Sequence, residues 1–255
     1  RGAHGGVDRR DAGSQVDLIR EVFLYSRRFQ GKTFVFKIDY PILESPYFPI
    51  LVKDIALLHE QGIQAVIVPG ARERIDEVLE SYSLKWRHHN GVRVVSPEAI
   101  PFIKMAAFDV SNRIMTLLAG NGVDAVIGNW VRARGIGVIN GTDYGHAEEI
   151  DRIKIDQIFS ALQGGQIPIF PCIGWNSQGK PYNISSDTLA LVLAKELQAA
   201  KLFFVKEQPV MKAEGLKTPE GVEITADGRI SRLNPDGVRQ LIELNPEKSF
   251  EHLQF

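Results

Sequence analysis

Residues 65–76, AVIVPGARERID, have the layout of an anion-binding turn. An apolar strand over 65–68 runs into a tight turn at Pro69-Gly70, and a helix opens at Ala71-Arg72. Such a unit sets the free N–H groups of a helix start at the mouth of a parallel sheet, where phosphates bind. A single glycine stands here, where a phosphate cradle carries two or three. Gly70 is read as the turn-maker whether or not anything binds. Arg72 at a helix start opposes the helix dipole, a mild cost that a carboxylate partner offsets; the other reading is a surface arginine. Lys37 closes the apolar run TFVFKI. It either meets an anion at the carboxyl edge of the sheet or snorkels to solvent from the strand end. Ile38, Asp39 and Tyr40 follow it, so side chains obstruct close backbone approach and Asp39 carries a negative charge toward any anion. His88 and His89 are neighbours on a strand, point to opposite faces and cannot chelate together. The one cysteine, Cys172, makes no metal site alone, so no metal is expected.

The elements that must position these groups alternate along the chain. A helix is expected over 14–31, with Ser14 as N-cap, Gly31 as stop and an apolar stripe of Val16, Ile19, Val22, Phe23 and Phe29. A strand over 33–38 follows, then YPILESPYF, read as a loop for its two prolines, and a helix over 50–61 ending at Gly62. The strand 64–68 and a helix over 71–81 complete the anion-type unit. Asn90-Gly91 within RHHNGVRVV predicts a hairpin, and Pro97 opens a helix to Leu118, closed by Gly120-Asn121-Gly122. A β-rich region over 123–154 has Asn140-Gly141 as a second hairpin turn. Helix 156–162, strand 166–170, a turn at 176–179, helix 186–198 capped by Ser185 or Ser186, and strand 201–205 restore the βα alternation. A β-hairpin region over 209–233 and a helix over 235–244 end it. Strands alternating with helices of this length predict an α/β fold, a three-layer αβα sandwich with a mainly parallel central sheet. It is read as one fold over 14–255 in two lobes dividing near Gln166, after a disordered lead-in over 1–13.

Composition narrows the partners. The 255 residues carry a formal net charge of -1, with 44% hydrophobic and 24% charged residues, as in ordinary soluble domains. No basic excess points to nucleic acid. No run approaches the roughly 18 apolar residues of a membrane span. One cysteine excludes an intrachain disulfide and fits a reducing cytoplasm.

Several stretches jointly resemble the amino-acid-kinase family in its acetylglutamate branch. FQGKTFVFKI is similar to its entry into the first strand, DIALLHEQGIQAVIVPGARERID to its second βα unit, NGVRVV to its substrate hairpin, and PYNISSDTLALVLAKELQAAKLFFV to its nucleotide-lobe entry. The resemblance covers residues 15–245 in family order and makes 32–165 a substrate-type lobe and 166–255 a nucleotide-type lobe. It implies that Arg93 is the arginine gripping a substrate carboxylate, a bidentate task suited to guanidinium. It also implies that Asn183 and Asp187 form the family's NxxxD element, in which the asparagine holds substrate and the aspartate orients catalytic lysines. Without any ligand, Asp187 also suits the first turn of a helix.

Within that branch the kinases have paired glycines after the first-strand lysine, a glycine cluster in the second turn, and a late lysine after a glycine pair. Here these places read Ile38-Asp39, PGARER, and Lys248 without glycines. Phosphoryl transfer needs backbone N–H groups and lysines around the moving group, so three departures in one phosphate site argue against it. The PGARER form is similar to the kinase-like domain of bacterial-type N-acetylglutamate synthases. The resemblance then implies a regulatory, arginine-sensing segment with no catalytic residue and no cofactor of its own. The whole enzyme would take acetyl-CoA and L-glutamate in the first step of arginine biosynthesis, at an acetyltransferase domain absent from this chain. L-arginine is the implied effector. The helix bearing Tyr25 is the implied arginine-site border and homo-oligomer contact. The alternatives are an active acetylglutamate kinase using ATP and Mg²⁺, and a stand-alone amino-acid sensor.

Overall fold

The computed structural model describes residues 20, 24, 25, 27–89, 92–135, 138, 139, 142, 143, 148–207, 212–232 and 235–248. The strands are β1 (Thr33–Ile38), β2 (Gln64–Pro69), β3 (Trp86–His89), β4 (Val92–Val95), β5 (Ala125–Ile127), β6 (Val131–Gly135), β7 (Val138–Ile139) and β8 (Thr142–Asp143). Then come β9 (Glu148–Ile153), β10 (Ile167–Ile169), β11 (Ile173–Trp175), β12 (Pro181–Asn183), β13 (Lys201–Val205), β14 (Glu223–Ile224) and β15 (Ile230–Arg232). The helices are α1 (Tyr40–Glu44), α2 (Phe48–Glu60), α3 (Arg72–Ser81), α4 (Ile100–Gly120), α5 (Ile155–Gln163), α6 (Ser186–Glu196) and α7 (Pro235–Leu244).

Every residue of β1 is buried, as in a strand covered on both faces. It lies inside a five-stranded, all-parallel sheet in the order β13-β1-β2-β10-β5. This sheet takes strands from both sides of Gln166. Alternate side chains go to opposite faces. Phe34, Phe36 and Ile38, with Ala65 and Ile67, pack against Val52 and Ile55 of α2, Ile75 and Leu79 of α3, and Ile103, Val110 and Ile114 of α4. Val35, Val66 and Val68 pack on the other side with Ile158 and Leu162 of α5 and Leu189 and Leu193 of α6. Three layers result, as the alternation predicts. Each such side chain contributes about 1.5–3 kcal/mol by leaving water. A one-residue slip of β1 would exchange its two faces, so its register is strongly fixed.

Phe34 and Phe36 form one aromatic group with Phe203 of the neighbouring strand, Phe36 and Phe203 stacked at 4.9 Å. Phe29 extends it at 5.3 Å from Phe34 and so docks the N-terminal helical residues onto the β1–β13 side. A second, mixed sheet runs β12-β11-β6-β9, with β11 and β6 parallel and the outer pairs antiparallel. Val131, Ala133, Ile153 and Tyr182 carry it onto the α5–α6 side of the core. The 123–154 region is β-rich as expected. Its union with residues 173–183 is not foreshadowed, because those pairings are long-range.

The segment read as a loop contains a helix. Pro41 lies in the first turn of α1, where its missing N–H costs nothing, Tyr40 and Leu43 are buried beneath it, and Ser45 Oγ donates to Ile42 O at 2.8 Å to end it. Pro49 likewise lies in the first turn of α2, which begins at Phe48 rather than Ile50. Pro97 opens a 3₁₀ turn, and the α-helix proper starts at Ile100. Residues 223–232 form a hairpin of β14 and β15 within the expected 209–233 region. Residues 1–13, Ser14, Val16, Ile19, Val22, Phe23, and the Asn90-Gly91 and Asn140-Gly141 turns lie outside the described residues. No described helix is long and apolar enough to cross a membrane.

Candidate functional site

Parallel strands end at one edge, so the residues after β1, β2 and β13 must gather there. Ile38 is in register with both Val205 and Pro69, which makes Asp39, Gly70 and Lys206 neighbours. The turn is pinned by the backbone. Asp39 N–H donates to Val205 O at 3.0 Å, and Gly70 N–H to Ile38 O at 2.7 Å. The buried Cys172 thiol donates to Pro69 O at 3.2 Å.

Lys37 is one residue short of the β1 end and shares its face with Val35, so it points toward α6. Its side chain is buried, 5% exposed, which overturns the snorkelling alternative. The ammonium is 2.7 Å from Asp187 Oδ1 and also pairs with Asp39 Oδ1. Asp39 Oδ2 lies 4.0 Å from Lys206 Nζ. Burial pulls the Lys37 pKa down, but the charges and hydrogen bonds of Asp187 and Asp39 outweigh it and leave the pKa raised. The ammonium is therefore firmly protonated. The carboxylates that hold it come from the chain itself.

Asp187 reaches this place from the first turn of α6, whose N-cap Ser185 accepts from Thr188 N–H at 3.3 Å. A carboxylate in that turn also suits the helix dipole. Asn183 ends β12, its backbone opposite Ile173, and leads into the cap. The cap and helix start are as the sequence predicts.

Gly70 needs correction. It does not have positive φ, and a methyl there would meet Asp39 Cα and Ile38 O at 3.4 Å, an ordinary contact. The turn therefore does not demand glycine through its backbone conformation. Arg72 is exposed as the first residue of α3. Arg93 lies in β4 with its backbone opposite His88, as the hairpin reading requires, and its side chain is outside the described residues. Tyr25 is helical and 42% exposed, its ring 4.6 Å from Phe29 and 5.9 Å from Lys201 Nζ. Phe29 faces the core, while Leu24 at 61% exposure and Tyr25 face outward. No described group of histidine, cysteine and acidic residues is arranged to hold a metal ion.

Two members of the cluster were not among the sequence candidates. In the sequence Asp39 reads as an obstacle rather than a partner, and nothing local singles out Lys206. The available signal was topological: KLFFVKEQ places a lysine directly after a strand that flanks β1.

A second polar group braces α1. Arg113 of α4 donates to Glu44 Oε1 at 2.5 Å and to Leu43 O at 3.4 Å, and Arg74 of α3 lies 3.2 Å from Glu77 and 3.3 Å from Asp109. The Arg113 hydrogen bond, set against some burial, holds Glu44 below the usual carboxylate range. Burial first, and then Glu44 and Glu77, push the Tyr40 phenol up.

Residues 44–240 match the model of the amino acid kinase family. The chain belongs to that family. It is 32% identical over 232 residues to an amino-acid acetyltransferase of Proteus mirabilis, covering 87% of this chain and 52% of that protein. Among solved structures it is similar to N-acetylglutamate synthase from Neisseria gonorrhoeae complexed with coenzyme A and N-acetyl-glutamate. That match has TM-score 0.76 and 28% identity, over 93% of this chain and 54% of that one. The same enzyme complexed with coenzyme A and L-arginine matches with TM-score 0.74 and 29% identity, over 89% and 53%. The chain thus spans about half the length of the relatives it matches. As an amino acid kinase family member it keeps the sheet edge of the fold, and fills it with paired charges.

Proposed function

We propose that this chain is the regulatory, arginine-sensing amino-acid-kinase-like domain of an N-acetylglutamate synthase. In this reading the segment transfers no phosphoryl group and holds no cofactor of its own. The whole protein makes N-acetylglutamate from acetyl-CoA and L-glutamate, the first step of arginine biosynthesis. The observation that carries the non-catalytic part is the Lys37 ammonium engaged by Asp39, a carboxylate in the stretch where the kinases have paired glycines. The Asp187 contact by itself is the lysine-orienting one that the family resemblance implies. A lysine that serves phosphoryl transfer must offer its charge to the moving group. The acetyltransferase relatives and the gonococcal complexes with coenzyme A and L-arginine support the rest. Leu24 and Tyr25, outward on the N-terminal helical residues, are the proposed contact to a second copy and border of the arginine site. Arg72, Arg93 and Asn183 are the proposed remnants of a family substrate site, and the cytoplasm is the proposed setting.

The test has two arms. The chain incubated with ATP, Mg²⁺ and N-acetyl-L-glutamate is expected to release no ADP above the rate without acceptor. The full native protein is expected to acetylate L-glutamate at a rate that L-arginine changes. Acceptor-dependent ADP release would replace this reading with acetylglutamate kinase. A full protein without acetyl transfer would replace it with a stand-alone sensor.

A further inference from the structure

We propose that Asp39 is a built-in counter-anion, its carboxylate standing between Lys37 and Lys206 in the place of a small oxyanion such as inorganic phosphate. Removing that carboxylate then opens an oxyanion site. The two oxygens of Asp39 are divided between the two ammonium groups, Oδ1 to Lys37 and Oδ2 toward Lys206 at 4.0 Å. Two cations sharing one bridging anion is the arrangement by which lysines hold a phosphate as point charges.

The carboxylate is held there by backbone as well as charge. Asp39 N–H donates to Val205 O, and Asp39 O accepts from Ile42 N–H at 3.0 Å. The side chain is anchored between β1 and α1 on both sides of its Cα. Its φ of -68° and ψ of 147° are open to any residue, so alanine fits the same turn. The Asp39 side chain is 26% exposed, which leaves the position open to solvent.

The cations stay in place without Asp39. Lys37 keeps Asp187 at 2.7 Å and so remains charged. Lys206 also lies 5.7 Å from the centre of the Phe204 ring. Loss of Asp39 removes a negative charge from between two ammonium groups at a position partly shielded from water, where Coulomb attraction for an oxyanion is stronger than in bulk solvent. This inference rests on the reading of the site as disarmed for phosphoryl transfer.

The experiment titrates inorganic phosphate into the parent chain and Asp39→Ala at constant ionic strength, followed by calorimetry. Asp39→Ala is expected to bind saturably and at least about tenfold more tightly than the parent, the scale of one added charge contact. Binding should weaken with salt and be lost when Lys206→Met is added. Should Asp39→Ala not melt cooperatively, Asp39→Asn keeps the shape and drops the charge. Phosphate must then raise its melting temperature more than the parent's. A folded variant with no gain over the parent, or a gain indifferent to Lys206→Met, overturns the proposal. ADP release is measured on the parent in parallel. Its appearance would overturn the functional reading while leaving the phosphate result to decide this one.

Discussion

The Lys37 ammonium lies 2.7 Å from Asp187 Oδ1, joining β1, an inner strand of the main sheet, to the first turn of a helix far along the chain. Asp39 and Lys206 extend this contact along the sheet edge. The charges at that edge are paired within the chain.

Lys37→Met is expected to destabilise the chain by about 2–3 kcal/mol, because it leaves Asp187 and Asp39 facing each other without their cation. Their partial exposure keeps the loss below that of a fully buried pair. Adding Asp187→Leu should recover part of it, with a coupling of about 1–2 kcal/mol in a double-mutant cycle followed by urea melts. Strict additivity would show that the pair contributes nothing to folding.

The alkaline limb of stability should report the same lysine. The Lys37 pKa is raised above the ordinary 10.5, so the folded state holds the proton more tightly than the unfolded state. Its contribution is fully present below about pH 10 and is lost as pH rises through the folded pKa. Tyr40, raised above 10.0, acts in the same direction over the same range. Urea melts from pH 8 to 11 should show the decline, and Lys37→Met and Tyr40→Phe should each remove part of the slope.

Acid has the opposite sign at α1. Glu44 titrates below 4.5, so its contact with Arg113 stabilises above that pH and is lost as pH falls through its folded pKa. Arg113→Gln should bring the Glu44 titration back to the ordinary range, read by carboxyl NMR. An unchanged titration would remove Arg113 as the cause.

Glycines should differ sharply. A methyl on Gly128 would come within 2.2 Å of the Trp130 ring, and one on Gly174 within 2.4 Å of Ile184 Cδ1 and 2.8 Å of Ala133 Cβ. Gly128→Ala and Gly174→Ala should each cost about 1–3 kcal/mol through overpacking. Gly70→Ala, with its nearest contacts at 3.4 Å, should cost about 1 kcal/mol or less. Equal losses at the three positions in urea melts would contradict this account.

Removing the α6 cap with Ser185→Ala should cost about 1 kcal/mol. A loss that appears as weakened Lys37–Asp187 coupling would show that the cap also positions Asp187.

The sequence by itself determined the layers and the local ends of the elements. The continuous apolar runs TFVFKI and QAVIV, glycines such as Gly62 and Gly122 at helix ends, and Ser185 before α6 act over a few residues, so their signal is complete within the chain nearby. It also placed Lys37 at a strand end and Asp187 at a helix start, but not in contact. Prolines misled at α1, because proline excludes the helix interior but suits its first turn, and only burial of Tyr40 and Leu43 selects between the two. The second sheet and the four-charge cluster were decided by tertiary structure alone. β1 acquires β2 on one side and β13 on the other, and this strand order places Asp39 next to Lys206. Local propensity carries no record of which distant strand becomes a neighbour, so whether Lys37 met solvent, a ligand or the chain's own carboxylates was fixed only when the sheet closed around it.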